Sequence, residues 1–399
     1  MEQDVKLLIK HFGPIANAEL TIGKYTVVIG SQGTGKSSIA KLFSLFSWLE
    51  KSLVRHSMTE AQIQSNKFQN KKFCKFHRLS SYFHPDTYIS YSGCFYSFEY
   101  LDGKIHVNQN ETNIFTVPKI EYVPAERNIL SSSEKPSSLK GVPDNLAAFS
   151  DDFEDAKYEM KSFTLPVKNA SVSFEYDRLN KISWLKGADF RIRLSESSSG
   201  YQSLLPLCFV TKYLTDIVSQ KSETQLSVDE KGKLQKEVDA IMAKDLSDEV
   251  RDAMLKNVSQ KYRYSYFINI VEEAELNLFP TSQKDVLFFL IGQCNRLSQN
   301  RLFLTTHSPY IISYLSLAAK AGCVFALNKD NSKIEEAISK VVANGSWIIP
   351  HELRVYQIDD FGNVSLLPNY DGTPSDENYL NISLSEINDL YNDLLDIEG

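Results

Sequence analysis

An α/β fold is what the 399-residue chain predicts, on three observations. Apolar runs of strand type alternate with segments of helical periodicity. One run, Tyr25-Thr26-Val27-Val28-Ile29, is continuous, as in a strand covered on both faces. A glycine-rich turn follows it directly and opens an amphipathic helix with Ile39, Leu42, Phe43, Phe46 and Leu49 on its apolar side.

Residues 5–10 and 18–22 alternate apolar and polar and read as strands, with Gly13-Pro14 turning between them. The helix after the glycine-rich turn runs over 36–53. Residues 51–78 are basic, with Lys51, Arg55, Lys67, Lys71, Lys72, Lys75 and Arg78 against Glu60 alone, and Phe68, Phe73 and Phe76 are interleaved. Residues 88–120 and 168–195 return to strand patterns. Between them, 131–155 is rich in Ser, Pro and Asp and reads as a long loop. A helix over 203–217 precedes a charged helical segment at 218–262, too short and irregular for a long coiled coil. Strands at 266–271 and 302–306 bracket a helix at 282–297. The apolar stretch 310–327 is broken by Lys320 and Gly322 and reads as a buried helix followed by a strand, not as a membrane span. A short acidic helix occupies 383–395. The whole reads as one composite domain, 1–399, with an insertion at 51–115, a helical insertion at 218–262 and an acidic segment at 355–399.

Composition narrows the function classes. Hydrophobic residues make up 42% of the chain, which excludes a wholly disordered protein. Met1-Glu2-Gln3-Asp4 is acidic where a signal peptide is basic, and the five cysteines are odd in number and unpaired in spacing. Both point to a reducing, cytoplasmic setting with no membrane partner. The formal charge of −7 is unevenly spread. Residues 355–399 hold ten acids and no Lys or Arg, which leaves 1–354 at +3. The body therefore keeps nucleic acid open as a partner, through the basic–aromatic stretch at 67–78, and a solvated or partner-docking face accounts for that stretch equally.

Gly30-Ser31-Gln32-Gly33-Thr34-Gly35-Lys36-Ser37 fits the phosphate-binding pattern GxxxxGK[ST]. Glycines let successive backbone N–H groups turn inward around phosphate oxygens, and the following helix points its positive end at the same anion. Lys36 is a flexible charge for the β- and γ-phosphates, and the Ser37 hydroxyl is a ligand for Mg²⁺. The candidate nucleotide-binding residues are Gly30, Ser31, Gln32, Gly33, Thr34, Gly35, Lys36, Ser37 and the adjoining Ser38. Three further stations follow in the chain. Glu272 and Glu273 end an apolar strand, where an acid holds Mg²⁺ and another orients water, although an acidic helix start places Glu there as well. Ser197-Ser198-Ser199-Gly200 leads into an apolar helix and is an anion site in principle, or a plain N-cap. His307 closes a strand, at the edge where an α/β sheet faces its ligand crevice, and taken alone it reads as structural.

Together the four stations resemble the heads of ABC-type ATPases, in order. Within that class the details look like the soluble SMC-, RecF- and OLD-like branch. Lys10-His11-Phe12-Gly13-Pro14-Ile15 is similar to "KNFGPI", and Tyr122-Val123-Pro124-Ala125-Glu126-Arg127 resembles "YIPAER". The segment from Glu272 to Pro280 looks like "DEPExxLxP", and Thr306-His307-Ser308-Pro309 is similar to "THSP". The resemblance implies an ABC-ATPase head, a P-loop NTPase whose N-terminal lobe holds mixed or antiparallel strands. It implies ATP and Mg²⁺, with Ser37 and Glu272 at the metal, Glu273 as general base, His307 as switch residue and Lys36 on the phosphates. Ser198, Ser199 and Gly200 fall on the signature turn, which in this class touches the nucleotide of the opposite subunit, so a head-to-tail dimer is implied. The usual Asp is Glu272 here and the usual Pro is Ala274, which implies altered Mg²⁺ coordination and slow turnover. No clear Q-loop glutamine is present, and Arg127 lies nearest its place. The standalone ATPase subunits of bacterial anti-phage systems, of the PtuA and AriA type, are the most similar in pattern. That likeness implies a sensor or scaffold controlling a separate nuclease or toxin. The alternative is a RecF- or SMC-like ATPase of DNA repair or recombination.

Overall fold

The structure, a computed structural model, describes residues 4–111, 116–132, 141–167, 171–220, 228–244, 247–329, 331–370 and 372–398. Strands β1 (Val5–Phe12), β2 (Ile15–Ile22) and β3 (Tyr25–Gly30) lead into helix α1 (Lys36–Val54). Short helices α2 (Glu60–Gln64) and α3 (Lys72–Phe76) precede β4 (Phe83–Ser92), β5 (Tyr96–Leu101), β6 (Lys104–Gln109) and β7 (Pro118–Val123). Then come α4 (Asn128–Ser132), α5 (Asp144–Met160), β8 (Ser162–Thr164), β9 (Ser173–Asp177), β10 (Ile182–Lys186) and β11 (Arg191–Arg193). Helices α6 (Ser199–Ser219), α7 (Val228–Met242) and α8 (Asp248–Tyr262) lead to β12 (Tyr266–Glu272), α9 (Pro280–Cys294), β13 (Arg301–Thr306), α10 (Pro309–Leu327) and α11 (Ser332–Val341). The chain closes with β14 (Leu353–Ile358), β15 (Val364–Leu366), β16 (Asn369–Tyr370), β17 (Thr373–Pro374) and α12 (Tyr379–Glu398).

The α/β expectation holds. A six-stranded sheet in the order β15-β14-β3-β13-β12-β7 forms the centre, and all its pairings are parallel except β14 with β15. Every residue of β3 is buried, because both its faces are covered. Alternation along the strands divides the apolar residues between two cores. Tyr25, Val27, Ile29, Leu302, Leu304, Leu353 and Val355 face the helical layer of α5, α6, α9 and α10. Val28, Phe303, Ile268, Ile270, Tyr356 and Ile358 face α1 and the second sheet. That second sheet is antiparallel throughout, in the order β2-β1-β4-β5-β6. Its last three strands come from within 51–115, and the first of them, β4, pairs directly onto β1.

Three sequence expectations differ from the structure. The loop read over 131–155 holds α5, whose Leu146, Phe149, Phe153 and Ala156 are buried at helical spacing. The Ser- and Pro-rich residues that suggested a loop lie mainly in 133–140, outside the described residues. The stretch 310–327 is helical throughout, without a terminal strand, because Ile311, Ile312, Leu315, Ala318 and Ala319 keep helical register against the core and Gly322 packs on the Ile348 main chain. The aromatic part of 67–78 is not a stacking platform. Phe68 is fully buried against Phe46, Phe73, Phe83 and Tyr100, and Phe73 also meets Trp48. Arg55 is buried too, donating to the Tyr262 carbonyl at 3.2 Å. Lys67, Lys72, Lys75 and Arg78 remain exposed.

Candidate functional site

The parallel strands β3, β13 and β12 end side by side, which puts their C-terminal loops around one crevice. The first of those loops is Gly30–Ser37. Gly30, Gly33 and Gly35 have φ of 154°, 83° and 110°, and two of them have no room for a side chain. A Cβ on Gly30 would lie 2.8 Å from the Ile358 carbonyl oxygen, and one on Gly35 2.7 Å from Ile15 Cγ1. The loop is thus wedged between β14 and the β1–β2 turn. Thr34 Oγ1 donates to the Ser31 carbonyl at 2.9 Å and tightens it. Lys36 begins α1 and is buried. Its Nζ donates to the carbonyls of Gly30 at 2.8 Å and Ser31 at 2.7 Å. Burial lowers its pKa, opposed by the charges of Glu273, Glu275 and Glu272.

The three acids lie at the end of β12 and in the loop that follows it. Glu272 is buried at the strand end, takes a hydrogen bond from the Tyr122 hydroxyl and lies within hydrogen-bonding reach of Ser37. Burial raises its pKa, although the Tyr122 hydrogen bond and Lys41 oppose the shift. Glu273 has a φ of 45°, the left-handed region that a non-glycine residue occupies only when its surroundings impose it. Its N–H donates to the Thr305 carbonyl at 2.9 Å and its own carbonyl accepts from Arg127 at 2.6 Å. So held, its Oε1 meets His307 Nε2 at 2.7 Å. That hydrogen bond is the main cause of a lowered Glu273 pKa, opposed by burial and assisted by the charges of His307, Lys36 and Arg127. Glu275 accepts from Thr306 Oγ1 at 2.7 Å and from the His307 N–H at 2.9 Å, and so fixes the end of β13. Its Oε2 is buried without a hydrogen-bond partner.

The Ser197–Gly200 turn lies beside this loop. Ser198 is the N-cap residue of α6, with no capping hydrogen bond from its side chain. Gln202 Nε2 holds the turn from within, donating to Ser195 O at 3.1 Å and Ser197 O at 3.0 Å. A Cβ on Gly200 would sit 2.9 Å from the Asn277 carbonyl oxygen, and Asn277 Nδ2 donates to Ser203 Oγ at 3.2 Å. Gly200 thus packs on the Glu273–Leu278 loop, while Lys36 Nζ donates to Gly30 and Ser31.

Lys36, Ser37, Glu272, Glu273 and His307 lie close together: Glu273 meets His307, Glu272 lies within hydrogen-bonding reach of Ser37, and the charges of Glu272 and Glu273 act on Lys36. The sequence did not assign Tyr122 or Glu275, which support Glu272 and His307 respectively. The resemblance puts Arg127 nearest the place of a Q-loop glutamine. Arg127 is instead a buried clamp on the main chains of Pro124, Ser203, Glu272 and Glu273. Tyr122 and Arg127 both lie in the YVPAER run at 122–127, the only sequence pattern that points to either.

Residues 5–183 match the model of the AAA ATPase domain, a span that includes β3, the Gly30–Ser37 loop and α1. No curated protein matches the chain significantly in sequence. Among solved structures, the SMC head domain from Thermotoga maritima is similar at 10% identity, covering 92% of this chain and 100% of that one, with a TM-score of 0.38. An SMC head bound to the C-terminal winged-helix domain of ScpA is 12% identical, covering 78% and 92%, with a TM-score of 0.36. The recombination mediator RecF is 9% identical, covering 92% and 99%, with a TM-score of 0.29. Residues 5–183 are thus similar to an ATPase domain.

Proposed function

We propose that this protein binds ATP with Mg²⁺, dimerises head-to-tail around the nucleotide and hydrolyses it slowly, as the sensor or scaffold of a separate effector. The observation that carries the ATPase part is the Glu273–His307 pair, held at 2.7 Å in a loop that also faces Lys36. Glu273 is the base for the attacking water: the hydrogen bond from His307 keeps its carboxylate ionised and oriented, ready to accept a proton. Lys36 exchanges its loop carbonyls for phosphate oxygens, a trade that favours the charge of the substrate. Ser37 and Glu272 form an all-oxygen donor pair suited to a hard cation, and the buried Glu272 gains from a positive charge before it. Bound Mg²⁺ would neutralise charge on the phosphate oxygens. Tyr122 holds Glu272, and Arg127 and Glu275 hold the two loops in register.

Ser198, Ser199 and Gly200 sit at a helix N-terminus and make no described contact with Lys36, which supports their use on a partner's nucleotide. The likeness to standalone anti-phage ATPases favours an effector nuclease or toxin acting in trans. A RecF- or SMC-like role in DNA repair is the second reading, favoured by the exposed Lys67, Lys72, Lys75 and Arg78. Two experiments test the proposal. Mixing a Ser198→Arg chain with a Lys36→Ala chain should restore at most one composite site, and full turnover by Ser198→Arg alone would contradict the shared site. Purification of the native complex followed by mass spectrometry should find a nuclease or toxin; recovery of recombination proteins instead would favour the second reading.

A further inference from the structure

Helix α12 leaves the core almost at once. Leu380 packs against the helical layer, yet every residue from Ile382 to Glu398 is exposed. Ile387, Leu390, Tyr391 and Leu394 are 62–64% exposed and Ile397 is 80% exposed. Helices in proteins draw most of their stability from packing an apolar face, and beyond Leu380 this one packs its face on nothing among the described residues. It carries Asn381, Ser383, Ser385, Asn388 and Asn392, which are poor helix formers. Its persistence calls for a cover.

The spacing says which cover fits. Leu380, Leu384, Ile387, Tyr391 and Leu394 recur at steps of four and three, the seam of a helix that packs along another helix. Leu390, Leu395 and Ile397 widen the seam. Glu386, Asp389, Asp393 and Asp396 fall on the opposite face. The positions flanking the seam are Asn381, Ser383, Asn388, Leu390, Leu395 and Ile397, and none is charged. Charges at such positions choose one partner over another. A seam without them accepts its own copy, since Glu386, Asp389, Asp393 and Asp396 turn away from it and the one acid at a seam step, Glu398, falls at the end of the described helix. The bare apolar surface is on the order of several hundred Å², comparable to one side of a stable interface.

We propose that α12 pairs with α12 of a second copy of this chain, as a tether that needs no nucleotide. Such a tether raises the effective concentration of one head at the other, so nucleotide closes a pair already joined. The tether does not rest on the ATPase reading, and its test is set apart from it. In the full chain bearing Lys36→Ala, without nucleotide, analytical ultracentrifugation should find dimers or larger assemblies at micromolar concentration. Adding Ile387→Asp and Leu394→Asp should weaken assembly by at least about tenfold and reduce the helical circular-dichroism signal. The thermal midpoint of the body should stay unchanged, since these residues touch no core. Asp389→Asn with Asp393→Asn, on the far face, should leave assembly intact. A parent that stays monomeric at high micromolar concentration would overturn the proposal and assign the helix to a different protein. Assembly that survives Ile387→Asp with Leu394→Asp would overturn it as well.

Discussion

Replacing Arg127 with Met separates two roles for the most deeply buried cation of the site. Arg127 is fully buried, and it donates to Ser203 O at 3.1 Å, Pro124 O at 3.2 Å, Glu272 O at 2.8 Å and Glu273 O at 2.6 Å. Burial lowers its pKa to about 10, with Glu275, Cys208, Glu273 and Glu272 opposing, so it stays charged at neutral pH. Met keeps the length and bulk of the side chain and removes every donor. Each orphaned carbonyl costs about 1–3 kcal/mol. Relief of the cation's own desolvation offsets part of that sum, and breaking a buried charged network nets about 3–5 kcal/mol. For a chain of this size that corresponds to a thermal midpoint lower by roughly 5–15 °C. Differential scanning calorimetry without nucleotide reads the first effect, and steady-state ATP turnover reads the loosening of Glu273. A midpoint within a degree of the parent would refute the clamp. If turnover fell while the midpoint held, Arg127 would act on the nucleotide, as its place near a missing glutamine suggested.

Other perturbations follow from the same geometry. Gly35→Ala must adopt a φ of 110° and place its Cβ 2.7 Å from Ile15, so ATP affinity should fall at least about tenfold by fluorescent-nucleotide titration. Glu275→Ala frees the Thr306 hydroxyl and the His307 N–H, and kcat should drop by about 10–100-fold with a smaller change in KM, since positioning and not binding is lost. His77 is buried against Ser44 and Tyr122, and burial, with Lys41, lowers its pKa to about 3. The folded state keeps the ring neutral while the unfolded chain takes up a proton below about pH 6.5. Its contribution is therefore complete above that pH and is lost as pH falls toward 3, by up to about 1.4 kcal/mol per unit. His77→Gln should flatten that part of the acid stability profile in urea titrations.

How much was legible depended on how local each signal is. The phosphate loop is contiguous, and its glycines, Lys36 and Ser37 carry their chemistry in their spacing. Glu272, Glu273 and His307 were legible because strand ends face one crevice in a parallel sheet. Arg127 was not, since its partners are the main chains of residues 124, 203, 272 and 273, which no side-chain pattern marks. Tyr122 meets Glu272 only through the parallel register of β7 with β12, which pairs Tyr122 with Ile270. Phe68 looked like a stacking residue because basic neighbours surround it, yet its ring completes the core between α1 and the antiparallel sheet. In α5 the spacing of Leu146, Phe149, Phe153 and Ala156 was present, but the Ser- and Pro-rich residues before it dominated the window.

Single-turnover hydrolysis by Glu273→Gln, alongside ATP binding by the same variant, tests the central claim most directly. The substitution keeps shape and a hydrogen-bond acceptor for His307 but cannot take a proton from water. ATP should bind with affinity close to that of the parent, while hydrolysis slows by about 100-fold or more. Hydrolysis at the parental rate would remove Glu273 from the reaction and with it the account of the Glu273–His307 pair.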